Sequence, residues 1–276
     1  MRRPGDETLP RPRPWADLRL RALSASVMLP AAIGCLWLGG WAWAALVTAG
    51  ALGMVAEWLA LCRLPILARR TLPVPFAVLT ACVLTALAHV PAALIWLVLW
   101  MGLLWLRMRR PGPALCVPYV GLPAIALIWL RGDTVAGRDS VLFVLLVVWA
   151  TDIAAYLAGR LVGGPRLAPS ISPGKTWSGA AGGLAGALLV GWTAGFSAVP
   201  LAPGLSAVPL AAALSVVAQA GDLLESAIKR RFGVKDSGRL IPGHGGLLDR
   251  LDGILTAAPA AALLALASGR GVGFFG

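Results

Sequence analysis

An all-α polytopic membrane protein of about nine transmembrane helices is the fold this sequence predicts, and three observations predict it. Hydrophobic residues make up 58% of the 276 positions and charged residues only 13%, against about 25% charged in typical soluble domains. Apolar runs of roughly 17 to 25 residues, enough to cross a hydrocarbon core as helices, recur along nearly the whole length. The alternating short segments of a transmembrane barrel do not occur in the sequence.

The elements follow in order. Residues 1–20 hold Pro4, Pro10, Pro12 and Pro14 among arginines and predict a basic, solvated arm. No small-residue cleavage pattern follows Arg2 and Arg3, so the first helix is expected to be retained. Gly39 and Gly40 break the apolar stretch from Ala22 to Leu61 into two crossings, with Trp41, Trp43 and Trp58 suited to interfacial depths. Leu72 to Leu106 would be about 50 Å long as one helix, so the break at His89, Val90 and Pro91 makes two short crossings. Ala114 to Leu130 and Ser140 to Ala158 supply the next two. Lys175 to Ala227 divides around Pro200, Pro203 and Pro209, and Leu251 to Ser268 is the last. This gives an arm (1–20), about five amino-terminal membrane helices (21–131) and about four carboxyl-terminal ones (132–276). Cys35, Cys62, Cys82 and Cys116 lack metal-ligand spacing and suit packing.

Loop by loop from the amino end, Lys and Arg number 6, 0, 3, 0, 3, 2, 3, 0, 6 and 1, which places 21 of 24 on one side. By the positive-inside rule the amino terminus is cytoplasmic and the carboxyl terminus outside. The +12 net charge is then a matter of topology and of anionic lipid headgroups, and calls for no nucleic acid. Both polar loops, Gly159 to Lys175 and Ile228 to Arg250, face the cytoplasm in this scheme.

Half of the twelve acids and all three lysines lie between Asp152 and Asp252, so the chemistry is expected there. Asp222, Glu225, Ser226 and Lys229 share one helical face. Asp222 lies inside an apolar run, where a carboxylate is costly unless paired or bound to a cation. Asp249 and Asp252 repeat the three-residue spacing at the start of the last helix and offer the hard oxygens Mg²⁺ prefers. The bland alternative is that they offset the helix dipole. Between them, Gly243, Gly245 and Gly246 surround His244 in a backbone able to approach an anion, while Lys229, Arg230, Arg231, Lys235 and Arg239 surround Asp236. In the other loop the spacing of a P-loop fails. Ser172 as N-cap, Pro173 in the first turn, then Lys175 and Thr176 predict a helix N-terminus fit to seat phosphate. Thr151 and Asp152 lie inside the sixth helix, where an acid predicts a cation or lysine partner. Glu57 takes no role at this level.

These residues resemble the phosphatidate cytidylyltransferases, or CDP-diacylglycerol synthases. The family's Ser-x-x-Lys-Arg, Lys-Asp, Pro-Gly-His-Gly-Gly and Asp-Arg-x-Asp appear here as Ser226, Lys229, Arg230, Lys235, Asp236, Pro242 to Gly246, Asp249, Arg250 and Asp252. The resemblance covers chiefly the carboxyl-terminal half. It implies a cation-dependent reaction of CTP with phosphatidic acid in a bacterial inner membrane, with Mg²⁺ and a second, monovalent or divalent, cation as candidates. Asp222 and Asp249 are then the expected metal ligands, with Asp152, Glu225 and Asp252 supplementary. Ser172, Lys175, Thr176, Ser226, Lys229, Arg230, Lys235, Asp236, Arg239, His244, Gly245 and Gly246 would bind CTP or lipid phosphate. Membrane lipids, and a second copy of the chain as a homodimer, are the other expected partners. The rivals are an ion- or proton-coupled transporter, which would show an internal repeat, and a CTP-dependent polyprenol kinase.

Overall fold

The computed structural model describes residues 14–66, 68–195, 206–238, 240, 245–268 and 274–275. Among these, nine helices form: α1 (Pro14–Leu38), α2 (Gly40–Leu61), α3 (Pro73–Ala86), α4 (Val90–Met108), α5 (Pro111–Arg131), α6 (Val135–Leu161), α7 (Trp177–Ala194), α8 (Ala207–Arg231) and α9 (Leu248–Ala267). Six of them, α2, α4, α5, α6, α8 and α9, are long and apolar enough to cross a membrane, as a multi-pass membrane protein requires. The fold is not purely helical: β1 (Arg166–Ala168) and β2 (Ser172–Thr176) form an antiparallel hairpin between α6 and α7.

The breaks have local causes. Gly39 turns at φ 68°, and a Cβ there would lie 2.7 Å from the Arg131 guanidinium. Pro209 breaks nothing, since it falls in the first turn of α8, where its missing N–H is not needed. Pro200 and Pro203, like most of the basic arm, lie outside the described residues. Trp43 and Trp58 are core residues rather than surface anchors. Each is about 5% exposed or less, and their indoles donate to Leu127 O at 2.9 Å and Gly112 O at 2.8 Å of α5. All four cysteines are free thiols.

Two apolar cores result. One joins α2, α3, α4 and α5. The other joins α6, α7, α8 and α9 with Leu36 and Phe274. Helices α5 and α9 contribute to both. Arg131, counted above among the external loop charges, is buried and caps the end of α1. It donates to Leu36 O at 2.6 Å and Trp37 O at 3.2 Å of α1, and to Thr134 O at 3.1 Å. In the second core α7 lies close against α6, where a Cβ on Gly186 would meet Ala150 O at 2.8 Å.

Candidate active site

Helix α8 carries Asp222, Glu225 and Lys229 on one face, and α9 begins beside it. Side-chain oxygens of Asp222, Glu225 and Asp252 all lie within 4.8 Å of one another. Glu225 is 3% exposed, and neither of its oxygens accepts an aligned hydrogen bond among the described residues. The Lys229 ammonium still lies 2.6 Å from Glu225 Oε2 as an ion pair, and 2.6 Å from Asp249 Oδ1 on its other side. Lys229 is therefore a counter-ion shared between two acids.

Asp249 is occupied by the protein itself. Besides Lys229, its carboxylate accepts from Ser237 N at 2.9 Å, Ser237 Oγ at 2.9 Å and Gly246 N at 3.2 Å. The pairing of Asp249 with Asp222 as metal ligands is thus not the one the geometry offers, because the close trio contains Glu225 and Asp252 instead. A carboxylate with that many donors ties Ser237 to Gly246 and has little lone-pair capacity left. Gly246 is required at this point, since a Cβ would come within 2.7 Å of Asp249 Oδ2 and clash with Ser237.

Glu57, unassigned from sequence, is the residue that holds this arrangement. It is 5% exposed at the end of α2 and accepts from Leu247 N at 2.8 Å, Leu248 N at 2.9 Å and Ser237 Oγ at 3.3 Å. Helix α9 has no cap from its own N-cap residue. A carboxylate nearly two hundred residues away satisfies its free N–H groups and complements its dipole. Only the oddity of an acid in an apolar helix could have pointed to it.

The hairpin supplies the other lysine. Lys175 on β2 pairs with Asp222, both about a quarter exposed. Helix α7 starts at Trp177, so Ser172 to Thr176 is a strand and not the helix N-terminus that sequence predicts. Thr176 is the true N-cap, its hydroxyl accepting from Gly179 N at 3.0 Å, while Ser172 pairs with Ala168. Arg230 ties the hairpin to α8 by donating to Ile171 O at 3.3 Å. Behind the site, Thr151, Ser215 and Gln219 form a hydrogen-bonded thread from α6 through α8 to Ala180 of α7.

Of the other expected residues, Asp152 is exposed on α6, outside the close trio but within reach of the charges of Asp222 and Lys175. Ser226 is half-buried, while Lys235 and Asp236 are exposed on the loop after α8. Gly245 turns at φ 88° one residue before Gly246. Arg239 and His244 lie outside the described residues.

The donor set fits a divalent cation. Asp222, Glu225 and Asp252 bring three carboxylates together, with Lys175 paired to the first and Lys229 to the second. Clustered carboxylate oxygens are the hard ligands that Mg²⁺ takes.

The profile of the cytidylyltransferase family matches residues 19–267. The phosphatidate cytidylyltransferase of Brucella suis biovar 1 is 48% identical over 152 residues, 55% of this chain and 56% of that protein. That of Staphylococcus saprophyticus is 42% identical over 146 residues, 53% of this chain and 56% of its own. These two alignments span about half the length of the relatives. The phosphatidate cytidylyltransferase of Pseudomonas aeruginosa is 35% identical over 278 aligned positions, 92% of this chain and 99% of that protein. With a profile match over most of its length and a relative aligned nearly end to end, this chain belongs to the cytidylyltransferase family.

Proposed function

We propose that this protein makes CDP-diacylglycerol and pyrophosphate from CTP and phosphatidic acid on the cytoplasmic side of a bacterial inner membrane. The observation that carries this is the acid trio Asp222, Glu225 and Asp252, set between Lys175 of the hairpin and Lys229 of α8. Nine crossings with a cytoplasmic amino terminus would put the hairpin and the α8–α9 loop on the side where CTP is found, in keeping with the 21 of 24 basic residues assigned there.

A phosphate oxygen of the lipid attacks the α-phosphorus of CTP, and the bond to the β-phosphate oxygen breaks to release pyrophosphate. The lipid phosphate is already anionic, so no strong base is needed. The work is positioning and charge compensation. Asp222, Glu225 and Asp252 would hold Mg²⁺, which when bound offsets charge on the reacting phosphates. Lys175 would reach the triphosphate from the hairpin, and Arg230 ties the turn of that hairpin to α8. Lys229 and Glu57 keep the start of α9, and so Asp252, in place.

Purified protein in detergent, given labelled CTP, phosphatidic acid and Mg²⁺, is expected to form CDP-diacylglycerol and to stop when chelator is added. No product under conditions where a relative of known activity works would overturn the assignment.

A further inference from the structure

The two helices that carry the acid trio meet through glycines that stand next to the acids themselves. On α8 Gly221 precedes Asp222, and on α9 Gly253 follows Asp252. Both glycines are buried. A Cβ on Gly253 would come within 3.0 Å of Val148 Cγ1 of α6 and 3.5 Å of Ala218 Cβ of α8, which is tight but not a collision. Gly221 has no such margin. A Cβ there would overlap the Thr256 hydroxyl and lie 2.8 Å from its Cγ2 and 2.9 Å from its Cβ. Turning the Thr256 side chain moves the first two atoms and leaves the third in place. An alanine at 221 would therefore push α9 away from α8 by about 0.5 Å or more.

Thr256 also ties the two helices together. Its hydroxyl donates to Val217 O of α8 at 3.0 Å and lies 3.3 Å from Gly253 O of its own helix. Val217 O is the carbonyl that an α-helix pairs with the Gly221 amide. One side chain thus joins the turn ahead of Asp222 to the turn after Asp252. Small residues and hydroxyls commonly join helices within a bilayer, but here the joint lies beside the carboxylates. The separation of α8 from α9 sets how far Asp222 and Glu225 stand from Asp252. Two oxygens on one Mg²⁺, each at about 2.0–2.1 Å, are at most about 4.2 Å apart, and on Ca²⁺, at about 2.3–2.6 Å, they reach about 5 Å. The oxygens of the trio lie within 4.8 Å of one another, so a shift of about 0.5 Å between the helices is of the size that separates the two ions.

We infer that Gly221 and Thr256 are positioning residues that set the size of the cation the trio accepts, favouring Mg²⁺ over Ca²⁺. Gly221 does so by lacking a side chain at the closest approach of the helices, and Thr256 by holding them there. Neither acts as a ligand; both work through the spacing of Asp222 and Glu225 from Asp252. This rests on the reading of the trio as a cation site, but ion binding can be followed without turnover.

The test is uptake of Mn²⁺ by the full chain in detergent without substrates, read as loss of the free-ion electron paramagnetic resonance signal, with Mg²⁺ and Ca²⁺ as competitors. The wild type is expected to take up Mn²⁺ and to yield it to Mg²⁺ at lower concentration than to Ca²⁺. Gly221→Ala is expected to shift that ratio toward Ca²⁺ at least tenfold. Combining it with Thr256→Gly removes every atom the new Cβ would meet, and should return the ratio to within about threefold of wild type. Thr256→Ser keeps the hydroxyl and should keep the ratio, while Thr256→Val keeps the shape without the hydroxyl and should shift it about threefold. Damage to the fold alone would reduce the number of sites without moving the ratio. A wild-type ratio in Gly221→Ala, or in Thr256→Val should Gly221→Ala not fold, would overturn the inference even if CDP-diacylglycerol is formed. No Mn²⁺ uptake by the wild type would overturn it together with the trio as a cation site. The expected shift and its rescue, in a protein that forms no CDP-diacylglycerol, would uphold the spacing and sink the reaction.

Discussion

Two lysines of this protein face acids, and their surroundings differ. Lys229 is 13% exposed and lies between Glu225 and Asp249, which are 4% and 14% exposed. Lys175 is 26% exposed and meets Asp222, which is 29% exposed, from a separate hairpin. The first lysine sits on the same helix as one partner and has its charge fully used by the fold. The second meets its partner from another element, and both side chains stay partly open to water. Burial, and not residue type, thus separates a charge enclosed by the fold from one left within reach of solvent.

The comparison breaks most sharply at Lys229. Lys229→Met leaves two buried acids without a counter-ion and should cost about 3–5 kcal/mol, read as a lowered unfolding midpoint in detergent. A midpoint within a degree of wild type would show that the two lysines are equivalent. Asp222→Asn and Asp252→Asn should each lower turnover by about 100-fold, the scale of losing one preorganised charge-stabilising group, with the unfolding midpoint retained. Asp249→Asn should cost stability as well as turnover, because it disturbs the Lys229, Ser237 and Gly246 contacts together. If Asp249→Asn instead behaves like Asp222→Asn, Asp249 belongs with the ligands.

Glu57→Gln should cost about 1–3 kcal/mol, as expected for a buried acceptor set left partly unmatched. It should lower kcat more than the KM for CTP, since it acts by positioning α9. The smallest stability effect is expected for Lys175→Met, below about 1 kcal/mol for a partly exposed pair. The same variant should raise the KM for CTP several-fold. An unchanged KM would remove Lys175 from the triphosphate.

Much of this was legible in the sequence. The helix breaks at Gly39 and near His89 were marked by residues that end helices for local reasons. The acids of α8 and α9 were found because charge is rare in so apolar a chain, and helical spacing placed Asp222, Glu225 and Lys229 on one face. What the sequence could not supply was which acids meet. Asp249 and Asp252 look alike in a string of letters. They part because Ser237 and Gly246 turn their amides toward Asp249 and not toward Asp252. The hairpin was missed for a similar reason: Pro173 and Gly174 read as a helix start, whereas pairing of Ser172 with Ala168 is a tertiary outcome. Glu57 acts across nearly the whole chain, and no local pattern announces such a contact.

The link from Glu57 to the start of α9 bears on how the protein can be divided. The motif-bearing half, from α6 onward, supplies most of the second apolar core and all three lysines, and so looks nearly self-sufficient. Yet the amide groups of Leu247 and Leu248 find their side-chain acceptor in Glu57 of α2. Expressed alone, that half would begin its last helix with bare donors and a loosened Asp252. Co-expressed as two fragments, the halves should recover function only when the amino-terminal piece retains Glu57. The less motif-rich half is in this sense the template on which the other is set.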